Sequence, residues 1–364
     1  MLLFTTLGRY LTLRFTRAIL SVFSTFFFLI GTLDFVELMR RAGDSPIATT
    51  PKIIMLALYR VPSVAEQIFP FAALFGGMFA LLTLSRKLEL VIARSAGVSA
   101  WQFLQPAAVV AGVIGLVSIM IYNPLAAEMK RRATALETRL FVRAGGQSSA
   151  SLPEVWLRQA SVDGQAVIRA AGALPDEDGL SRVAFFNFNP DGSFRDRIDA
   201  RQAVLRPGHW ELSDARITSA KEEPQSYKSY MLATTLEPDQ MRQSFTPPEA
   251  VGFWSMPAVI ERTQRAGLDT TRYELRYQSL MARPLLLIAM VLVAASVSLR
   301  FFRFGGVTKL VVAGVTAGFV LYVATQLSEE LGSSGIVNPI VAAWLPAALG
   351  TMLGALALLH QEDG

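Results

Sequence analysis

The sequence contains no cysteine, which excludes disulfides, thiolate metal sites and a cysteine nucleophile. Histidine is nearly absent as well. His209 and His360 are the only two, far apart and without ligand spacing, which argues against a zinc centre. His209, in "RPGHWEL", reads as a turn residue, and His360 as a solvated residue of the C-terminal tail. No G-x-x-x-x-G-K-[ST] phosphate loop is present, so the chain is expected not to hydrolyse nucleotide itself. H-E-x-x-H and G-x-S-x-G motifs are missing too. Charge is scarce, at 17% of 364 residues. Lys/Arg clusters interleaved with aromatics are lacking, which disfavours nucleic acid as a partner despite a net charge of +5.

Apolar residues dominate instead, at 52%, with a mean hydropathy of +0.39. That balance points to an integral membrane protein. Six stretches reach spanning length: about 18–38, 62–84, 102–123, 279–299, 306–327 and 338–359. Before the second, "PKIIMLALYRV" reads as a segment along the interface. Arg9, Arg14 and Arg17 precede an apolar run too long for a signal peptide, so the N-terminus reads as a retained anchor. With an even number of spans, these three share a side with Arg86, Lys87, Arg94, Arg300, Arg303 and Lys309. The positive-inside rule makes that side, and both termini, cytoplasmic. Arg40, Arg41 and Lys52 are the misfit on the other side. Spans four to six carry no central charge except Arg283, near the outer end of span four, and no span pairs two mid-membrane carboxylates. Ion-coupled transport and enzymatic activity are both weak readings.

Between spans three and four the pattern changes, over roughly 138–250. "EVWLR", "QAVIRAA", "RVAFFNF", "ARQAVL", "HWELSDARIT" and "SYMLATT" are short runs separated by turn signals, among them "NPDG" at 189–192 and "RPGH" at 206–209. An all-β sandwich or jelly roll of about 100 residues is expected. "SMPAVIERTQRAG" then reads as a short helix, Ser255 as its N-cap and Gly267 as its stop. Asp269 begins a helix that continues into span four. The organisation is therefore 1–137 with three spans and a cytoplasmic helix at about 86–97, 138–250 as the β domain, and 251–364 as linker helix and three more spans.

Four features carry candidate function. At the end of span one, "GTLDFVELMRRAG" places Asp34, Glu37, Arg40 and Arg41 within roughly a 120° arc of one helix face. Either the arginines snorkel while Glu37 pairs with Arg41, or the stripe binds an anionic head group. The loop "SRKLELVIARSAGVSAWQ" contains a short helix ending at Gly97, with Glu89 beside Leu88, Leu90 and Val91. It is either a connector or a docking helix for a cytoplasmic partner. Gly314 to Gly318 and Gly350 to Gly354 have the spacing of close helix packing. Phe319, Tyr322 and Gln326 share one face of span five, which could line a path or pack in the core.

Taken in order, "FVELMRRAG", "VPSVAEQIFPFAALFG", "LELVIARSAGVS", "AFFNFNPDG", "GLDTTRYELRYQSLMARPL" and "GFVLYVATQL" resemble the lipopolysaccharide export permease family LptF/LptG, closer to its LptG member, from about residue 5 to 360. The resemblance implies a polytopic α-helical membrane protein of the bacterial inner membrane. It would have six transmembrane helices and an inserted, jelly-roll-like periplasmic domain. It implies an LptF-type sibling as heterodimer partner, a dimeric LptB-type ATPase holding ATP and magnesium, an LptC-type membrane protein and an LptA-type periplasmic bridge. Lipopolysaccharide would enter from the outer leaflet through gates at helices one and five. By position, Glu89 with Arg86 and Leu90 falls on the helix that couples to the ATPase. Arg40 and Arg41, beside Glu37, fall in the stretch that faces lipid A phosphates. Phe69, Phe319 and Tyr322 fall at apolar cavity positions. Asp34 departs from the pattern, because relatives carry a cation there; it pairs with a neighbouring subunit's cation, holds Arg41, or marks a rearranged site. The alternatives are an LptF-type sibling of the same complex and a membrane-anchored periplasmic scaffold or sensor.

Overall fold

The computed structural model describes residues 6–43, 49–137, 140, 155–161, 164–173, 179–189, 193–219, 223–234, 247–265, 269–304 and 307–362. The chain forms two compact units. One comprises Met1–Leu136, Glu249–Met256 and Thr271–Gly364; the other comprises Glu137–Pro248 and Pro257–Thr270.

The first unit contains six helices long and apolar enough to cross a membrane. Helix α1 runs Thr6–Ala42. Helix α2, Thr50–Ala65, continues through a 3₁₀ turn, Glu66–Ile68, into α3, Phe69–Arg86. The segment expected to lie along the interface is thus part of span two. The junction keeps helical dihedrals at Ala65 and Phe69, and Ile53, Leu56 and Ala57 are buried where α2 packs on α1. Helix α4 is Glu89–Ser95. Helix α5, Ala100–Val117, passes through a π-helical turn, Ser118–Tyr122, into α6, Asn123–Glu137. A capping box starts α5: the Gln102 backbone donates to Ser99 Oγ and the Ser99 backbone to Gln102 Oε1, both at 3.2 Å. Glu128 pairs with Arg131 and Arg132 along α6, which supports the helix beyond the expected end of span three.

After the β unit come α7, Met256–Arg265, α8, Thr271–Phe304, α9, Val307–Ser333, and α10, Pro339–Glu362. The α7 start differs from expectation. Ser255 closes a 3₁₀ turn and donates its hydroxyl to the Gly252 carbonyl (2.9 Å) instead of capping the helix. Gly267 lies outside the described residues. Helix α8 packs against α3, α5, α9 and α10, and Leu287, Met290, Val291, Ala294 and Ala295 bury its apolar body. The small-residue spacings serve close packing, as expected. A Cβ on Gly314 or Gly318 would strike Met78 or Leu74 of α3, and one on Gly354 would come within 2.8 Å of Leu292 Cβ.

The second unit holds the inserted β domain. Strands β1, Val155–Ser161, β2, Gly164–Ala173, β3, Gly179–Phe188, β4, Phe194–Arg206, β5, His209–Ser219, and β6, Gln225–Ala233, form one antiparallel sheet in sequence order. A jelly roll would interleave its strands through crossovers; the described strands form a meander. The Arg206–His209 pair brackets a two-residue turn, and Gly208 takes φ +84 there, the conformation glycine favours. The "NPDG" turn lies partly outside the described residues, but Asn189 N donates to Ser193 O at 2.9 Å across its base. Ile168, Phe185, Ile198, Trp210 and Leu212 form the core of the sheet's buried face, with Phe185 and Trp210 edge to face at 5.8 Å.

Candidate functional site

The charged stripe of α1 divides into two parts. Glu37 accepts from Arg40 Nε and Nη2 (3.0 Å each) and from Arg41 Nε (2.8 Å). All three are solvent-exposed, Arg40 most at 77% of its side chain. Two guanidiniums on one carboxylate leave a net positive, accessible end. Asp34, one turn deeper, pairs with Arg60 Nη2 of α2 at 3.2 Å. A cation of the same chain, Arg60, is thus one partner of Asp34. The α1–α2 packing brings it from "PKIIMLALYRV", and the pair is largely buried.

The aromatic positions separate similarly. Phe69 is buried, stacked on Phe23 of α1 at 4.5 Å and edge-on to Tyr122 at 5.1 Å. Tyr322 of α9 meets Phe71 at 4.9 Å, and Phe319 is 59% exposed. Phe69 thus fills space between helices, while Phe319 stands on an open face.

The helix at 89–95 is set by its ends. Leu88 takes a left-handed φ of 59 before it. After it, Val98 N bonds Ala93 O and Gly97 N bonds Arg94 O, a Schellman closure with Gly97 at φ +83. Leu90 is buried, so it anchors the helix to the bundle; Leu88, Val91 and Ile92 are the exposed apolar residues, and Arg86 is exposed beside them. Glu89 accepts from Tyr10 Oη of α1 at 2.9 and 3.2 Å and lies 3.7 Å from Arg14 Nη1.

One cluster escaped the sequence reading. Glu66 is 3% exposed and accepts from Arg283 Nη1 (2.6 Å), Asn123 Nδ2 (2.9 Å) and Arg276 Nη2 (2.8 Å). Asn123 Oδ1 in turn accepts from Phe253 N at 2.8 Å, and Tyr122 donates to Pro62 O at 2.9 Å. The 3₁₀ turn, the π turn and α8 therefore meet at one carboxylate. Glu66 stands roughly 30 Å along its helix from Arg86 at 1.5 Å per residue, about one hydrocarbon thickness. The available signal was charge complementarity between lone polar residues in separate apolar runs: Glu66 in "PSVAEQIFP", Asn123 in "IMIYNPL" and Arg283 in "LMARPLL".

Burial differs sharply among the spans. Only 6% of the most apolar stretch of α1 is buried within the chain, and 17% of that of α9. The figures are 67% for the α2–α3 span and 61% for α8. The family described as lipopolysaccharide export system permease LptF/LptG matches residues 9–360. The chain is 25% identical over 351 residues to the lipopolysaccharide export system permease protein LptG of Escherichia coli (strain K12), covering 94% of this chain and 95% of that protein. It is 26% identical over 362 residues to the LptG protein of Haemophilus influenzae, covering 97% and 96%. A match along six spans and an inserted sheet fixes the kinship: the chain belongs to the LptF/LptG family of lipopolysaccharide export permeases, and is a multi-pass membrane protein.

Proposed function

We propose that this chain is one of two related permease subunits that lift lipopolysaccharide from the outer leaflet of the inner membrane. The termini face the cytoplasm and the β domain faces the periplasm. A dimeric ATPase of the LptB type, with its ATP and magnesium, docks on α4, and an LptF-type sibling completes the membrane body. An LptC-type helix joins at one gate, and an LptA-type bridge receives the lipid from the β domain. The observation that carries this reading is the exposure of α1 and α9. Helices one and five leave most of their apolar surface uncovered by their own chain, as walls of a lipid gate must.

The energetics agree with a divided machine. Moving acyl chains into water costs about 0.8 kcal/mol per CH₂, on the order of tens of kcal/mol for a lipid with several chains. A shielded path and an external energy source are both required. The path is supplied here by apolar faces of α1 and α9. The exposed Arg40–Arg41 end of α1 suits phosphate, since guanidinium binds it bidentately. The Glu37 carboxylate orders both arginines.

The test is reconstitution of the complex in proteoliposomes carrying lipopolysaccharide. ATP-dependent release is expected from the wild type, and Glu89→Lys is expected to lose the ATPase on purification. Normal ATPase association and release with Glu89→Lys would remove α4 as the docking helix. An ATPase-bound complex that released no lipid on ATP addition would contradict the transport reading, leaving a scaffold.

A further inference from the structure

Glu89 is held from within the chain before any partner arrives. Tyr10 and Arg14 stand one turn apart on α1. Arg14 donates to the Tyr10 hydroxyl and lies over its ring, 5.6 Å from the centroid. Tyr10 donates to both Glu89 oxygens, so the three side chains close a triangle. Leu90 and Ala93 of α4 share one buried cluster with Leu11 and Phe15 of α1. The N-terminal end of α1 is thus held to α4 by the Tyr10–Arg14–Glu89 group, while α4 itself packs on α3.

Helix α1 then crosses α3 at backbone distance. A Cβ built on Gly76 would lie 2.5 Å from Ile19 Cα and 2.8 Å from Ile19 N. Beyond Ile19, no α1 residue is buried until Leu38. The helix therefore has a held arm at 6–18, a crossing point at Ile19 and, at 20–37, a largely open section that meets its own chain on one side, through Phe23 on Phe69 and Asp34 on Arg60, and leaves its other face uncovered. An unbroken helix is stiff on this scale and bends only gently without a proline or π turn, and α1 contains neither. Movement of the arm is carried across the crossing to the open section.

We infer that Tyr10 and Arg14 are positioning residues for transport: through them Glu89 hands the displacement of α4 to α1, which turns about the Ile19–Gly76 crossing and shifts its lipid-facing section. The inference rests on the proposed docking of an ATPase on α4. It differs from coupling through the α3 backbone, which is joined to α4 in sequence and packed on α8. It also gives Glu89 a double task, facing a partner while held by α1.

The experiment uses the whole complex in proteoliposomes, as wild type, Tyr10→Phe/Arg14→Gln and Arg14→Lys. It reads co-purified ATPase, ATP hydrolysis, lipopolysaccharide released per ATP, and the response of a spin label at residue 30 to nucleotide. The double variant is expected to keep its ATPase and hydrolyse within about twofold of wild type, while release per ATP falls at least about fivefold. Its label is expected to stop responding, and Arg14→Lys to retain most of both signals. Unchanged release per ATP and an unchanged label response would overturn the joint in favour of the α3 route. Loss of the ATPase would overturn it too, by showing that the pair serves docking. If the wild type releases no lipid, the transport reading fails separately. The joint then stands if the wild-type label responds and the double variant's does not, and falls otherwise.

Discussion

Helices α1 and α8 are both long, apolar and interrupted by few charges, yet they are built for opposite ends. The apolar body of α8 is 61% buried and that of α1 only 6%. Helix α8 packs on four neighbours and carries Arg276 and Arg283 into a buried ion cluster with Glu66. Helix α1 buries residues only near its two ends, Leu11, Phe15 and Ile19 at one and Leu38 at the other, and between them touches its own chain on one side, through Phe23 on Phe69 and Asp34 on Arg60. Hydrophobicity along the chain does not separate them; partnership does. A frame helix needs charge satisfaction inside the fold, because an unpaired buried ion is expensive. A helix that meets lipid needs a face its own chain leaves open.

The comparison breaks most severely at the frame. Glu66→Leu leaves the buried Arg283 and the partly buried Arg276 without their carboxylate, at a cost of about 3–5 kcal/mol. The expected result is loss of folded protein, read as yield and thermal stability in detergent. Within α1 the contrast can be sharpened by one substitution made twice. Phe15→Ala removes a fully buried ring and is expected to cost about 3 kcal/mol. Phe28→Ala, at a ring 72% exposed, is expected to change the stability of this chain by less than about 0.5 kcal/mol. Asp34→Asn falls between these two. Its pair with Arg60 is largely buried, with the side chains 13% and 22% exposed, so about 2 kcal/mol is at stake, with a loosening of α1 from α2 visible by hydrogen exchange.

Much of this frame was legible in the sequence. Runs of apolar residues located the six spans, and short runs between turn residues located the six described strands, because burial in a membrane and in a sheet each imposes its own period. Small residues at Gly314 and Gly318 announced close packing, and Gly97 the end of α4. What was not legible depends on contacts distant in sequence. One partner of Asp34 comes from α2, and the Glu66–Arg283 pair joins two different spans. The continuity of α2 with α3 was hidden by Arg60, a charge beside the expected start of span two that lowers local hydropathy without breaking helical geometry. The sheet's meander order was hidden for a related reason: strand periodicity reports which face is buried and says nothing about which strand lies beside which. The stripe at the end of α1 was visible as four charges on one face, but its division into a largely buried Asp34–Arg60 pair and an exposed Glu37–Arg40–Arg41 group needed the packing of α2.

The central claim is that α1 carries lipid on the face its own chain leaves uncovered. It is tested most directly by photo-crosslinkers at residues 30, 37 and 41 of α1, set against one at Met290 of α8, in the assembled complex with and without ATP. Lipopolysaccharide adducts are expected from the three α1 positions, decreasing when ATP is supplied, and none from 290. Equal capture from α1 and α8, or no capture from α1 in either state, would contradict the account.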